Sequence, residues 1–164
     1  MKVVIIGNGM VGYKFCEKLL SKSSPGQFEL VVFAEETRPA YDRVHLSEYF
    51  SGKSADDLSL ANVGWYASNH ITLHLADPVQ HIDRAGKTVR SFSGIIENYD
   101  VLVMATGSAA FVPTIPGVEK EGVFIYRTIE DLEMISDWAR KVNTGAVIGG
   151  GLLGLEAAKA LLDL

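Results

Sequence analysis

The chain has 164 residues, 48% of them apolar, enough for roughly one domain with a substantial core. A net charge of −5 and a pI of about 5.3, with no basic patch, argue against nucleic acid as a partner. No apolar run approaches the ~20 residues of a membrane span, no leader-like segment opens the chain, and the single cysteine, Cys16, has no second thiol, so a cytoplasmic protein is expected.

The opening residues carry the first signal. Val3 to Ile6 reads as a buried parallel strand, and Gly7-Asn8-Gly9-Met10-Val11-Gly12 follows it directly. Behind these, Met10, Val11, Cys16, Leu19 and Leu20 mark a helix to about Lys22, where Ser23-Ser24-Pro25-Gly26 breaks it. A strand, a Gly-x-Gly-x-x-Gly turn and a helix form the usual cradle of a dinucleotide pyrophosphate. Gly7 allows the tight turn, Gly9 lets the backbone come close to phosphate, and Gly12 lets helix and strand pack closely. The helix N-terminus then offers free N–H groups and a positive dipole end to the charge.

Phe28 to Phe33 is a second strand and ends on Glu35-Glu36. A carboxylate at that strand end can accept hydrogen bonds from ribose hydroxyls, with Glu35 favoured over Glu36. Arg38 to Phe50 has no clean period and reads as a loop. An arginine in it could clamp a pyrophosphate through its fork of donors. Short helical stretches are expected around Ser54–Leu58 and Val63–Asn69. Ile71–Leu75 reads as a strand, and Val79–Ile82 with Lys87–Phe92 as a hairpin around Asp83-Arg84-Ala85-Gly86. Val101–Met104 is another strand, ending at Ala105-Thr106-Gly107.

Pro113 and Pro116-Gly117 mark a linker, and Val123–Tyr126 is a candidate strand. Thr128 with Asp131 reads as a capping box opening a helix whose apolar face is Ile129, Leu132, Ile135, Trp138, Ala139 and Val142. The chain then repeats its opening. Gly145–Ile148 reads as a strand, Gly149-Gly150-Gly151-Leu152-Leu153-Gly154 as a second glycine fingerprint, and Leu155–Leu164 as its helix. Two such units imply two dinucleotides. The expected fold is α/β: a Rossmann-like domain over residues 1–112 with a small antiparallel insertion, then the incomplete start of a second Rossmann-like domain over 113–164.

The two fingerprints with Tyr99-Asp100-x-Leu102-x-x-Ala105-Thr106-Gly107 make the chain resemble the FAD/NAD(P)-dependent pyridine-nucleotide reductases. Ala40-Tyr41-Asp42-Arg43-Val44-His45-Leu46-Ser47, Tyr126-Arg127-Thr128-Ile129-Glu130-Asp131-Leu132 and Gly149 to Ala158 narrow this resemblance. They look like the amino-terminal part of the large subunit of assimilatory NAD(P)H-dependent nitrite reductases.

The resemblance implies that residues 1–112 bind FAD and 113–164 begin an NAD(P)H-binding domain. It implies FAD contacts at Gly7, Asn8, Gly9, Met10, Val11 and Gly12, at Glu35 and Glu36, at Arg43 and Ser47, around Val79, and at Ala105, Thr106, Gly107 and Arg127. It places NAD(P)H at Gly149, Gly151, Gly154 and Glu156. It also implies downstream domains holding an iron–sulfur cluster and sirohaem as electron acceptors.

One departure is informative. Rubredoxin- and ferredoxin-reductase relatives carry Arg-Pro-Pro-Leu-Ser-Lys in the loop. Here Arg43 is followed by Val44-His45, and Glu48 stands in place of the lysine that relatives pair with the glutamate matching Glu156. Two carboxylates beside a flavin repel, so Glu48 is expected to turn away. With no Cys-x-x-Cys or Cys-x-x-x-x-Cys, dithiol–disulfide chemistry is excluded. Nicotinamide-to-flavin hydride transfer needs no protein acid, so no catalytic side chain and no metal ligand are assigned.

Two alternatives stay open: an FAD-dependent reductase of a rubredoxin- or ferredoxin-type iron–sulfur protein, and an inactive nucleotide-binding fragment. With the second fold incomplete, little activity and some self-association through exposed apolar surface are expected of this segment alone.

Overall fold

A computed structural model describes residues 1–164, which form two compact units. The first comprises Met1–Tyr41 and Ser59–Ser108, and the second Asp42–Leu58 and Ala109–Leu164. The first unit runs β1 (Lys2–Ile6), α1 (Met10–Ser21), β2 (Glu29–Phe33), α2 (Val63–Ser68), β3 (Ile71–His74), β4 (Val79–Asp83), β5 (Thr88–Ser91), β6 (Ile96–Asn98) and β7 (Val101–Met104). The second contains a 3-10 segment (Arg43–Tyr49), α3 (Ile129–Ala139) and α4 (Leu152–Asp163).

In the first unit, β1, β2, β3 and β7 make a parallel sheet in the order β3-β2-β1-β7, with Val3 opposite Leu30 and Val101, and Ile6 opposite Phe33 and Met104. The apolar run of β1 is continuous because both faces of the sheet are covered. Val3 and Ile5 pack with Cys16 of α1, Leu30, Val32, Tyr66 and Ile71. Val4 and Ile6 face the other way, packing with Val31, Phe33 and Val89. Val89 belongs to the antiparallel sheet β4-β5-β6, so that sheet closes one face of the parallel one. Burying each of these side chains contributes about 1.5–3 kcal/mol. Cys16 is fully buried in this core, as a small apolar residue would be.

The hairpin expected at residues 79–92 is present, with Asp83 Oδ1 accepting the Ala85 and Gly86 N–H groups at 2.9 Å each. A third strand, β6, was not anticipated. It pairs with β5 after a turn in which the buried Asp77 accepts the Ser93 N–H at 2.8 Å and the Ser93 hydroxyl at 2.7 Å. At three residues, Ile96-Glu97-Asn98 is too short to show a period.

Four local expectations differ from the structure. Ser54–Leu58 is a turn, in which Asp57 accepts the Ser54 N–H at 2.8 Å and Ser54 Oγ accepts the Asp57 N–H at 3.2 Å, a cap that no helix follows. Within Arg38–Phe50, expected as loop, Arg43–Tyr49 winds into a 3-10 segment, started by Asp42 accepting the Val44 N–H at 2.9 Å. Val123–Tyr126 and Gly145–Ile148 form no strand. Strand structure requires a laterally paired neighbour, and the second unit contains none. Ile148 accordingly stands 79% exposed.

Helix α3 begins as expected. Thr128 Oγ1 accepts the Asp131 N–H at 3.1 Å, while the Asp131 carboxylate accepts the Thr128 N–H at 2.9 Å. Ile129 and Leu132 are buried beneath it, whereas Val142 lies beyond the helix end and is exposed. No helix is long and apolar enough to cross a membrane.

Candidate functional site

The first unit gathers Gly7 to Gly12, Glu35, Glu36, Val79 and Ala105 to Gly107. The turn between β1 and α1 is dictated by two close approaches. Gly7 has φ +106°, and a Cβ there would stand 2.2 Å from the Ala105 carbonyl oxygen. A Cβ at Gly12 would stand 2.0 Å from the Gly7 carbonyl oxygen. Only glycine fits at either position. Gly9 differs: a Cβ there would meet nothing within 4 Å. Gly9 is also the N-cap of α1 and supplies no side-chain acceptor, so no capping side chain satisfies the first N–H groups of the helix. Uncapped N–H groups beside a clear approach suit an anionic group of the ligand, and this turn therefore fits a dinucleotide pyrophosphate.

Asn8 of this turn is buried, 8% exposed. Its Oδ1 accepts the Tyr66 hydroxyl proton at 2.9 Å, and its Nδ2 is buried with no partner. Tyr66 is a contact that sequence reasoning missed, since nothing local to α2 shows a partner 58 residues away. Burial pushes the Tyr66 phenol up to about 12, so the hydroxyl keeps its proton.

At the end of β2, Glu36 accepts the Tyr41 hydroxyl at 2.5 Å, while Glu35 is exposed. The strand end Ala105-Thr106-Gly107 lies beside the first turn. The Ala105 N–H donates to the Ile6 carbonyl at 2.8 Å, and Thr106 and Gly107 are exposed, Gly107 with φ +69°.

The second unit gathers Arg43, Ser47, Arg127, Gly149, Gly151, Gly154 and Glu156. Arg43 Nη1 donates to the Arg127 carbonyl at 3.0 Å, which joins the two arginines singled out in the sequence. Asp42, besides capping the 3-10 segment, meets His45 Nδ1 at 2.7 Å. That bond lowers the Asp42 carboxyl and raises the exposed His45 imidazole. Glu48 ion-pairs with Lys53, a cation supplied from its own loop.

Tyr126 stacks on Phe50 with ring centroids 6.2 Å apart. Burial first, then the charge of Glu156, raises the Tyr126 phenol to about 12, partly offset by the Ser47 hydroxyl.

The second glycine turn repeats the first. Gly149 has φ +132°, and a Cβ at Gly154 would stand 1.9 Å from the Gly149 carbonyl oxygen. Gly151 caps α4 without a side chain, and a Cβ there meets nothing within 4 Å. Leu152, Leu153, Leu155 and Leu162 of this helix are largely exposed. No group of three or more His, Cys, Asp or Glu is arranged to hold a metal ion.

Comparison with known proteins places this geometry. The chain is 49% identical over 164 residues to the large subunit of NADH nitrite reductase of Escherichia coli, covering 100% of this chain and 19% of that protein. It is 49% identical over 162 residues to the NAD(P)H nitrite reductase large subunit of Klebsiella oxytoca, covering 99% and 17%. The chain thus spans about a fifth of the length of these curated relatives.

Among solved structures, NADH:rubredoxin oxidoreductase from Clostridium acetobutylicum superposes with a TM-score of 0.88 at 29% identity, over 99% of this chain and 42% of the other. The pyridine nucleotide-disulphide oxidoreductase model aligns with residues 1–164, both glycine turns included. Because that match takes in the whole chain, the protein belongs to the pyridine nucleotide-disulphide oxidoreductase family.

Proposed function

We propose that this chain is the FAD-binding, electron-entry region of an NAD(P)H-dependent nitrite reductase large subunit. One observation carries the reading: the chain holds two equivalent glycine turns, each opening a helix with an uncapped N-terminus and clear space at its middle glycine. Two dinucleotides are the economical occupants, and the 49% identity to nitrite reductase large subunits supports that branch.

The FAD-binding domain is assigned to residues 1–112 and the start of the NAD(P)H-binding domain to 113–164. In the first, Gly7 to Gly12 bind the FAD pyrophosphate through backbone N–H groups, and the exposed Glu35 accepts the ribose hydroxyls. Glu36, Ser47, the Val79 segment and Ala105 to Gly107 complete the contacts. Arg43 and Arg127, held together by their own hydrogen bond, supply full positive charge where the helix N-terminus supplies only a partial one. In the second domain Gly149, Gly151 and Gly154 bind the pyrophosphate of NAD(P)H, with Glu156 close to the turn.

When bound, the flavin provides the hydride acceptor for the nicotinamide. The chain's own residues bind, orient and screen the two ligands and transfer no proton themselves. Further domains of the parent protein would hold the iron–sulfur and sirohaem centres that supply the chemistry of nitrite reduction.

Mass spectrometry of the ligand released from the purified chain, after incubation with equal FAD and NAD, tests the assignment. FAD is expected at the first turn. Recovery of NAD alone, lost on Gly9→Leu, would sink it. A reductase of a rubredoxin-type protein is the second reading, favoured by the 0.88 TM-score to the clostridial enzyme. Transfer of electrons to rubredoxin by the parent protein, with none to nitrite, would select it.

A further inference from the structure

The first glycine turn contains one polar atom that the backbone description leaves unused. Asn8 Nδ2 is buried and has no hydrogen-bond partner, on a residue only 8% exposed. A buried amide donor without an acceptor is destabilising, and proteins keep few of them. Its orientation is set by Tyr66, which is 1% exposed and donates its hydroxyl proton to Asn8 Oδ1 at 2.9 Å. The backbone N–H of Ala40 also faces the phenol oxygen. The hydroxyl proton goes to the oxygen end of the amide. The nitrogen end is therefore the one turned away from Tyr66. Next to it lie the uncapped N-terminus of α1, twelve residues long, and the open space at Gly9.

We infer that Tyr66 is a positioning residue for the first glycine turn, holding the Asn8 amide so that Nδ2 donates a hydrogen bond to the pyrophosphate of the bound dinucleotide. The inference rests on the FAD reading above and adds a side-chain donor, with its support, to the backbone donors of the turn. The reversed amide would present Oδ1, an acceptor, to an anion. The Tyr66 hydroxyl thus acts as a selector of amide orientation, and its effect passes wholly through Asn8.

The test uses the 164-residue chain and three probes: FAD, ADP, which keeps the pyrophosphate, and adenosine, which lacks it. Affinities are measured by titration calorimetry for wild type, Tyr66→Phe, Asn8→Asp and the double variant. Asn8→Asp keeps an acceptor for the Tyr66 hydroxyl but replaces the donor by a carboxylate oxygen. It should weaken FAD and ADP by at least tenfold and leave adenosine unchanged. Tyr66→Phe should weaken ADP about threefold to tenfold, again sparing adenosine, and should add nothing in the Asn8→Asp background.

ADP binding by Asn8→Asp equal to wild type overturns the inference, since the nitrogen then serves a buried water. So does an equal loss for ADP and adenosine in Tyr66→Phe, which marks a merely structural tyrosine. If Asn8→Asp fails to fold, the ADP-to-adenosine ratio of Tyr66→Phe decides alone. A wild-type chain that binds neither FAD nor ADP rejects the FAD reading itself, and the inference with it. Wild-type binding with unchanged variants rejects only the inference.

Discussion

Two glycines three residues apart should respond in opposite ways to the same methyl group. At Gly12 a Cβ would lie 2.0 Å from the Gly7 carbonyl oxygen, against an ordinary contact of ~3.5 Å. Both partners are backbone, so α1 must move away from the turn. Alanine gains about 1 kcal/mol over glycine in a helix interior. Overpacking of this kind costs about 1–3 kcal/mol, and a backbone–backbone clash belongs at or above the upper end. Gly12→Ala should therefore lose about 1–2 kcal/mol net, or about 2–8 °C in thermal midpoint for a chain of this size.

At Gly9 a Cβ meets nothing within 4 Å, and the backbone, φ −77° and ψ −168°, suits any residue. Gly9→Ala should leave the ligand-free midpoint within about 1 °C, because weaker capping offsets a less flexible unfolded chain. It should still weaken FAD, whose pyrophosphate must approach that backbone. Scanning fluorimetry of both variants, without and with FAD, separates the effects. A ligand-free midpoint for Gly9→Ala as low as that of Gly12→Ala would refute the reasoning, as would no loss at all for Gly12→Ala.

The Asp42–His45 pair should stabilise the chain over a defined pH window. The His45 imidazole is raised above its ordinary 6.5 in the fold, so its contribution is complete below 6.5 and fades as pH climbs through the raised value. Asp42 is lowered below 3.8, so its part is lost as pH falls through that lowered value. Thermal midpoints of wild type and Asp42→Asn across pH 4 to 9 should converge at the alkaline end, and an undiminished difference at pH 9 contradicts the pairing. Cys16, fully buried and raised to about 12, should not react with a thiol reagent at pH 8 until the chain unfolds. Fast labelling of the native chain would refute its burial. Thr128→Ala breaks the capping box of α3 and should cost about 1 kcal/mol, seen as a lower denaturant midpoint, whereas Thr128→Ser should restore most of it. Equal midpoints for the alanine and serine variants would remove the cap from the account.

The sequence by itself determined the features whose physics is confined to a few neighbouring residues. The glycine turns are of this kind, because Gly7 and Gly12 meet one another only five residues apart and no side chain fits between them. The Thr128–Asp131 cap and the Asp83 hairpin likewise close over three residues. The buried run of β1 was legible because both faces of a parallel sheet are covered.

Tertiary structure decided whatever depends on a distant partner. Gly145–Ile148 has the composition of a strand, but strand structure belongs to a pair, and this unit supplies no second member. The ion-pair partner of Glu48 is Lys53, a cation that no motif in the loop singles out. Asn8 was expected to contact FAD only through its place between two glycines. Only folding brings Tyr66 of α2 against it, and that contact determines which end of its amide is left to donate. A chain of this length shows its local constraints in its spelling. A hydrogen bond across 58 residues leaves no such trace, because its geometry is set by the packing of the whole core between them.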